Sequence, residues 1–293
     1  MAHFEEKDET VVNNQPAEKS ILDEIMTRDL EKGDFVIDGV VVEHPEVEGS
    51  VIEQSAEEGQ GIGGPVDETD LESIKAHNLF DLRQTIAHEI FSGVNYPWEA
   101  LSKINGFIPW LGSTLNPAEY DKVDDNIWIA KSAKIMTSVH ISGPAIIGKN
   151  AEIRHGAFIR GNAIVGNGSV VGNSTELKNV ILFNKVEVPH FNYVGDSILG
   201  YKAHLGAGAI TSNVRSDKQL VAVKLPTRKI ETGLKKFGAM IGDEVEIGCG
   251  TVLNPGCIIG KRSIIYPVSS VRGVIVADSI YKTETEVSKR FYG

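Results

Sequence analysis

Residues 129–183 read IAKSAKIMTSVHISGPAIIGKNAEIRHGAFIRGNAIVGNGSVVGNSTELKNVILF, and an apolar residue returns at every sixth position of this stretch. The recurring positions are Ile129, Ile135, Ile141, Ile147, Ile153, Ile159, Val165, Val171, Leu177 and Phe183. A second series follows at Leu199, Leu205, Ile241, Ile247, Leu253, Ile259, Ile265 and Val271. Because this period matches neither a helix nor an alternating strand, it indicates a repeat architecture built from six-residue units.

The six-residue unit predicts an all-β solenoid, a left-handed parallel β-helix of hexapeptide repeats. Each unit forms one flat side of a triangular prism and points one aliphatic side chain inward, and three sides make a coil of about 18 residues. Glycine directly follows the inward residue at Gly148 and Gly166, for example, where a tight corner favours a residue without a Cβ. Each coil buries only a narrow apolar stripe, so we expect outer faces to associate.

The chain divides by composition into four predicted segments. Residues 1–75 form an acidic N-terminal extension with a glycine-rich linker, and the sequence leaves open whether this extension docks or is disordered. Residues 76–124 form a helical segment with apolar spacing and several aromatic residues, which we expect to pack on or cap the first coil. Residues 125–282 form the β-helix, and residues 283–293 form a C-terminal tail.

The charge distribution limits the classes of partner. The net charge is -11, but residues 1–75 hold 21 acidic and 5 basic residues, which leaves 19 acidic and 24 basic residues in the rest of the chain. A mildly basic body suits small anionic ligands, whereas the acidic N-terminus argues against nucleic acid binding. The sequence has no long apolar run and its first residues do not resemble a secretory signal. We therefore expect a cytoplasmic protein that does not bind membranes.

The six-residue rhythm breaks twice, and breaks in a solenoid are typical of functional loops. Between Phe183 and Leu199 the spacing is out of phase, which predicts that residues 186–196 lie outside the regular coil. Between Thr211 and Ile241 the series lapses, which predicts an extended loop.

Several polar residues in and near these breaks have a spacing that suggests chemistry. Arg160 and Lys178 are 18 residues apart, so they should stand one above the other on neighbouring coils, where two cations repel unless an anion lies between them. Solvated basic residues on an exposed face are the alternative. His190, in the first break, is a candidate general base, although a lone loop histidine is more often a surface residue.

Other histidines and the cysteines do not form a recognisable metal site. His140, His155, His190 and His204 include no pair four or five residues apart, so the sequence predicts no zinc site and no metal requirement. Cys249 and Cys257 match no metal-ligand pattern, and we expect buried, reduced thiols.

Residues 172–213, GNSTELKNVILFNKVEVPHFNYVGDSILGYKAHLGAGAITSN, resemble the acetyltransferase half of the bifunctional bacterial enzyme that makes UDP-N-acetylglucosamine, in both residue order and spacing. The similarity extends over roughly residues 140–280. From about residue 76 the chain is also similar to monofunctional UDP-N-acetylglucosamine pyrophosphorylase-like hexapeptide-repeat proteins. The resemblance implies an acetyl-CoA-dependent N-acetyltransferase acting on an amino-sugar phosphate such as glucosamine 1-phosphate, assembled as a homotrimer with its site between subunits.

The resemblance also implies roles for individual residues. His190 would be the catalytic base and Asn213 would orient groups around the reaction; Arg160 and Lys178 would hold the sugar phosphate and Tyr193 would contact the sugar. Ala207 and Cys249, the latter at a position where the family usually has serine, would line the acetyl-CoA groove.

The sequence departs from the family pattern at His204, where the family has a sugar-contacting asparagine, in the loop of residues 214–240, and in its short C-terminal tail. No G-x-G-x-R nucleotide signature occurs in residues 1–124, so we expect no pyrophosphorylase activity. Two alternatives to the acetyltransferase remain: a protein related to sugar-phosphate nucleotidyltransferases, and a non-catalytic β-helix that serves as a trimerising scaffold.

Overall fold

The computed structural model describes residues 35–37, 40–42 and 68–292, and the chain divides into two compact units, Met1–Gly59 and Gln60–Gly293. In the first unit, β1 (Phe35–Ile37) pairs antiparallel with β2 (Val40–Val42). The other residues of the extension up to residue 67 lie outside the described residues, so whether the extension docks or is disordered stays open.

The second unit contains the left-handed parallel β-helix that the sequence predicts. Its strands fall on three faces of a prism, and each strand pairs in parallel with the corresponding strand of the next coil. Face A contains β4 (Ile127–Ala130), β7 (Ala145–Ile147), β10 (Ala163–Val165), β19 (Ala239–Ile241), β22 (Cys257–Ile259) and β25 (Val274–Ile275).

The other two faces complete each coil. Face B contains β5 (Lys134–Ile135), β8 (Glu152–Ile153), β11 (Val170–Asn173), β13 (Glu187–His190), β15 (His204–Leu205), β20 (Glu246–Ile247), β23 (Ile264–Ile265) and β26 (Ser279–Thr283). Face C contains β6 (His140–Ile141), β9 (Phe158–Ile159), β16 (Ile210–Thr211), β21 (Val252–Leu253) and β24 (Ser270–Val271). Two longer strands, β12 (Glu176–Leu182) and β14 (Tyr193–Leu199), begin on face C and continue onto face A.

One antiparallel strand pairs with one face of the β-helix at each end of the stack. At the first coil, β3 (Tyr120–Asp124) pairs antiparallel with β4. At the last coil, β27 (Glu286–Lys289) pairs antiparallel with β26. These strands occupy edges that would otherwise expose unpaired backbone groups.

The first predicted break is part of the β-helix, so the expectation that residues 186–196 lie outside the coil is wrong. Val188 pairs with Val171, and Leu199 pairs with Leu182, in both cases 17 residues away. The coil is one residue short because the inward residue after Leu177 is Leu182, which comes one position earlier than the six-residue period requires. The strands therefore stay in register while the sequence rhythm shifts.

Phe183 matches the six-residue period by coincidence. It follows the inward Leu182 at the corner position that Gly166 occupies one coil earlier. Its ring packs outside the prism, with ring centroids 5.1 Å from Phe80 and 5.9 Å from Phe91. Phe183 thus joins the β-helix to the segment that precedes it.

Residues 68–114 form short helices and 3-10 turns. The α-helices are α1 (Glu68–Ser73), α2 (Ala76–Leu79) and α3 (Ile104–Thr114), and the 3-10 turns are Leu82–Gln84, His88–Phe91 and Pro97–Ser102. α3 packs on β7, β10 and β12, and the turn at Pro97–Ser102 packs on β14. The segment packs on the first coil, as expected, since a Cβ at Gly112 would lie 2.4 Å from the Trp128 ring of β4. It also continues over face A across several later coils.

Face A has a second row of apolar side chains that explains this packing. Its members are fully buried and lie beside one another on successive coils: Ile146, Ile164, Ile181, Ile198, Met240 and Ile258. They alternate with the inward residues, so they point away from the prism interior. The helical segment removes this row from water.

Asp243 ties the helical segment to the β-helix. Its Oδ2 accepts a hydrogen bond from the backbone N–H of Asp81 (2.7 Å), and its Oδ1 accepts one from the backbone N–H of Tyr201 (2.8 Å). The ammonium of Lys261 lies 3.3 Å from Oδ2. Burial raises the pKa of the Asp243 carboxyl, while these donors act in the opposite direction.

Replacing Asp243 with alanine is expected to lower the free energy of unfolding by about 2 kcal/mol, because two backbone N–H groups lose their acceptor. Asp243→Asn should cost less, since it keeps an acceptor oxygen and avoids the burial of a charge. Denaturant titration of the two variants and the wild type measures the difference. Equal stability of the alanine and asparagine variants would contradict the role of the acceptor.

The second break contains a β-hairpin, whereas the sequence predicted only an extended loop. β17 (Ala222–Lys224) pairs antiparallel with β18 (Lys229–Glu231), and the Leu225 N–H donates to the Arg228 carbonyl across the turn. Val221 and Val223 are fully buried, so the hairpin packs firmly against the β-helix.

Candidate functional site

Face C brings the predicted sugar-phosphate residues together. Leu177 pairs with Ile159, so Lys178 lies one coil above Arg160, as their 18-residue spacing predicts. Arg160 Nη1 lies 2.6 Å from Glu176 Oε1. The Arg160 guanidinium also lies over the ring of Phe158, 5.9 Å from its centroid. A carboxylate on the same face thus already faces the first of the two stacked cations.

Asp196 connects the second cation to two asparagines. Its Oδ2 lies 3.0 Å from Lys178 Nζ, and its side chain is only 5% exposed. Asn179 Nδ2 donates to Oδ1 at 2.9 Å, and Asn213 Nδ2 donates to Oδ2 at 2.5 Å. This carboxylate therefore fixes three side chains, two from the coil before it and one from the coil after it.

Asp196 was not among the predicted site residues, although the sequence contains a signal for it. Asn179, Asp196 and Asn213 are each 17 residues apart and occupy the same corner of successive coils. Asn179 and Asp196 adopt left-handed backbone conformations, with φ of 56° and 48°. Asparagine and aspartate are the non-glycine residues that tolerate this conformation best, so the corner itself favours an amide and carboxylate ladder.

Tyr193 belongs to the same cluster. Asn213 Nδ2 lies 3.2 Å from the Tyr193 hydroxyl, and burial raises the pKa of that hydroxyl. Gly195 allows the approach, because a Cβ there would lie 2.5 Å from the hydroxyl oxygen and 2.8 Å from Asn213 Nδ2. Lys178, Tyr193 and Asn213 are thus joined through Asp196. The Arg160–Glu176 pair lies beside them, since Glu176 pairs in register with Tyr193.

The remaining predicted residues lie along the edge between faces B and C. His190 ends β13, and its carbonyl accepts a hydrogen bond from the N–H of Gly208 at 3.0 Å. One coil further on, the carbonyl of Ala207 accepts from the N–H of Gly250 at 2.9 Å. His190, Ala207 and Cys249 therefore occupy the same edge on successive coils. The predicted base and the predicted cofactor groove share this edge.

The His190 backbone is held in place, while its imidazole is exposed. Its N–H donates to Asn192 Oδ1 at 3.1 Å, and the Asn192 amide donates to the carbonyls of Gly206 and Ala209. Across residues 68–292, the imidazole has no hydrogen-bond partner. Only two residues separate His190 from Tyr193 in the sequence, but within residues 68–292 the ring makes no hydrogen bond to the Tyr193 and Asn213 cluster.

His204, the departure from the family pattern, lies on face B with Nδ1 2.9 Å from Glu246 Oε2.

Cys249 is exposed and Cys257 is buried, so the expectation of two buried thiols is wrong for Cys249. Burial raises the pKa of the Cys257 thiol to about 12.

Among the described residues, no group of three or more metal-ligating side chains is positioned to hold an ion. Within the same part of the chain, no helix has the length and apolar character needed to cross a membrane.

Comparison with known proteins confirms the resemblance stated above. The family model "GMPPB C-terminal domain" matches residues 141–224. The bifunctional protein GlmU of Methanococcus vannielii is 29% identical over 68% of this chain and 49% of its own length. A bifunctional sugar-1-phosphate nucleotidylyltransferase/acetyltransferase of Sulfurisphaera tokodaii is 34% identical over 54% of this chain and 44% of its own length. The chain thus spans about half of these relatives or less.

Among solved structures, a hexapeptide transferase family protein from Anaplasma phagocytophilum matches with 17% identity and a TM-score of 0.31. The match covers 56% of this chain and 78% of that protein.

Proposed function

We propose that this chain is an acetyl-CoA-dependent N-acetyltransferase that acts on an amino-sugar phosphate in nucleotide-sugar synthesis. The cluster centred on Asp196 binds the sugar phosphate, and His190 on the adjoining edge is the base. Ala207 and Cys249 line the groove for the acyl donor. Two relatives support this assignment: both are named as bifunctional proteins, and the name of the Sulfurisphaera tokodaii relative includes acetyltransferase.

One observation carries the proposal. Lys178, Tyr193 and Asn213 come from three successive coils, yet hydrogen bonds through Asp196 and the Asn213 amide join them into one cluster. Arg160, paired with Glu176, lies on the same face. A scaffold needs no such convergence of cations, a phenol and amides on a single face.

A phosphate group would bind here by displacing the Glu176 carboxylate from the Arg160 guanidinium. The Arg160 side chain is 46% exposed, and an exposed ion pair is worth only about 0–1 kcal/mol. A phosphate dianion presents more charge and more acceptor oxygens than one carboxylate, so it competes well for the guanidinium. Lys178 keeps Asp196 as a partner while it approaches the same anion.

The proposed reaction is direct acetyl transfer. The sugar amine attacks the thioester carbonyl, the C–N bond forms, and the tetrahedral intermediate expels the coenzyme A thiolate. His190 accepts the proton that the amine loses, and that proton can pass to the departing sulfur. No covalent acyl-enzyme is required, because the protein holds the two substrates together.

A homotrimer is part of this proposal, with the site between subunits. The chain covers face A with its own helical segment, which leaves the edge between faces B and C for contact between copies. That edge exposes apolar side chains beside the proposed site residues, with Phe191 61% and Val268 85% exposed.

We also propose that the protein is located in the cytoplasm.

Sugar nucleotidyl transfer is the second candidate function, and the name of the Sulfurisphaera tokodaii relative, which includes nucleotidylyltransferase, favours it. That reaction would release pyrophosphate from a nucleoside triphosphate and a sugar phosphate. It needs no acetyl-CoA.

The test is a thiol-release assay with acetyl-CoA and glucosamine 1-phosphate, run beside each substrate alone. Acetyl transfer predicts release that requires both substrates. Pyrophosphate release from UTP and N-acetylglucosamine 1-phosphate would instead support nucleotidyl transfer. If neither product appears while light scattering shows an intact trimer, the scaffold alternative gains support.

A further inference from the structure

Asn192 lies at the edge between faces B and C, where it differs from the equivalent residues of the other coils. It directly precedes β14, and its equivalents precede the other strands that begin on face C. These equivalents have short side chains: Val139, Ala157, Thr175, Ala209, Thr251 and Ser269. Within residues 68–292, Asn192 is the single member of this column with an amide, and it is only 2% exposed. A larger polar side chain therefore fills a corner that elsewhere holds short ones.

The Asn192 amide joins two turns of neighbouring coils. Its Oδ1 accepts a hydrogen bond from the backbone N–H of His190 at 3.1 Å. Its Nδ2 donates to the carbonyls of Gly206 (2.9 Å) and Ala209 (3.0 Å), which lie on either side of Ala207 in the sequence. One side chain therefore holds both the turn that carries the proposed base and the turn that carries a residue of the proposed acyl-donor groove.

The turn of residues 206–209 is in turn packed against Cys249, the other residue of the proposed groove. A Cβ at Gly206 would lie 2.6 Å from the backbone nitrogen of Cys249 and 2.9 Å from its Sγ, so only glycine allows this approach. The two turns that line the groove are therefore in close contact. A displacement of the turn of residues 206–209 changes the shape of the groove on both coils.

The backbone of Asn192 is held independently of its amide. Its N–H donates to Thr175 Oγ1 at 3.3 Å, and its carbonyl accepts a hydrogen bond from the N–H of Glu176 at 2.9 Å. Tyr193, the next residue, pairs in register with Glu176. Because these contacts do not involve the amide, removing it should release the two turns without changing the path of β14.

The proposed reaction depends on how these two turns are placed relative to each other. The His190 imidazole is exposed and has no hydrogen-bond partner in residues 68–292, so its position depends on its backbone. Direct transfer requires the amine, the thioester carbonyl and the base to be aligned, and a misplacement of about 1 Å can cost about 10²-fold in rate. A buried amide whose oxygen and nitrogen are both bonded is suited to maintaining such an alignment.

We infer that Asn192 is a positioning residue that fixes the His190 base relative to the acyl-donor groove, an inference that rests on the proposed function above. Asn192 acts through the His190 backbone and the turn of residues 206–209, not by touching either substrate. Among the described residues, its amide makes no hydrogen bond to Arg160 or Lys178. Binding of the sugar phosphate should therefore be independent of it.

Steady-state kinetics of thiol release by the full chain test this inference, with acetyl-CoA and glucosamine 1-phosphate varied in turn. Asn192→Ala should lower kcat about 10- to 100-fold, because the base and the thioester lose their alignment. It should also raise the KM of acetyl-CoA about 3- to 10-fold, the usual effect of one lost hydrogen bond. The KM of glucosamine 1-phosphate should not change.

Asn192→Ser is the rescue variant. Its hydroxyl can accept the His190 N–H and donate to one carbonyl, so it should recover part of the lost kcat. Alanine and serine already occur in this column, at Ala157 and Ser269, so both variants suit the corner. Equal kcat values for the alanine and serine variants would contradict the role of these hydrogen bonds.

Ser263→Ala is the matched control. The Ser263 hydroxyl is also fully buried and joins two coils, since it donates to the Val276 carbonyl at 2.9 Å and accepts from the Ser279 N–H at 3.1 Å. It lies at the corner between faces A and B, away from the proposed site. Its removal should lower the free energy of unfolding and leave kcat and both KM values unchanged.

The remaining outcomes separate this inference from the proposed function. A fall in kcat of Asn192→Ala with both KM values unchanged would overturn the inference, since loss of folded enzyme alone produces that result. An active wild type with an unaffected Asn192→Ala variant, or the same change of KM in Ser263→Ala, would overturn it and leave acetyl transfer standing. A wild type that releases no thiol would overturn the proposed function and, with it, the inference.

Discussion

Replacing His190 with alanine is expected to lower kcat for acetyl transfer by about 10²- to 10⁴-fold, the usual contribution of a general base. An amine that attacks a thioester must lose a proton, and His190 is the imidazole on the edge that also carries Ala207 and Cys249. Since its ring has no hydrogen-bond partner in residues 68–292, its removal should leave the fold unchanged. Initial rates of thiol release at saturating substrates measure the effect.

The matched control is His88→Ala, which removes an exposed histidine from the helical segment, distant in sequence from the proposed site. It should keep the wild-type rate. A fully active His190→Ala variant with an intact trimer would exclude this residue as the base.

The core of the β-helix was predictable because one residue in six must point inward whatever its neighbours are. Ile147, Ile153 and Ile159 are fully buried, as the period requires. The shift at Leu182 was not predictable from the period alone, since an apolar residue, Phe183, occupies the position that the rhythm expects. Periodicity identifies a repeat but cannot detect a one-residue deletion when both candidate residues are apolar.

The sequence of the face A strands also indicates that this face is buried on its outer side, a signal that the six-residue period does not include. The strands of this face have three apolar residues in a row, as in Ala145–Ile147, Ala163–Val165 and Cys257–Ile259. A strand exposed on one side alternates apolar and polar residues, whereas a strand buried on both sides does not. These triplets indicate that something packs outside the prism, although they do not identify the segment that does so.

The two cations of the candidate site, Arg160 and Lys178, could be predicted from the sequence, but their carboxylate partners, Glu176 and Asp196, were not predicted. The spacing of Arg160 and Lys178 follows from the 18-residue coil. Asp196 lies 18 residues after Lys178, but the coil between them is one residue short, so Asp196 occupies the corner next to the equivalent position, Gly195. Asp196 therefore fell in a region interpreted as a loop, and its burial could not be recognised from the sequence. The hairpin of β17 and β18 lies in the second break, where no periodicity predicts it.

Asp196→Ala is expected to lower the free energy of unfolding by about 3 kcal/mol, as for other ion pairs that are largely removed from water. The change leaves the Lys178 ammonium without its carboxylate and leaves the amides of Asn179 and Asn213 without an acceptor. It also places alanine at φ of 48°, where aspartate and asparagine are better tolerated. Denaturant titration and kcat/KM for the sugar phosphate measure both consequences.

Asp196→Asn separates charge from shape, because asparagine tolerates the same backbone conformation and keeps one acceptor oxygen. It should retain more stability than the alanine variant and still lose affinity for the sugar phosphate, since Lys178 would no longer be oriented. The double variant Lys178→Met/Asp196→Ala should recover part of the lost stability, because the unpaired ammonium is then removed with its partner. Strict additivity of the two single changes would mean that Asp196 does not position Lys178, and the phosphate site would then have to be assigned without it.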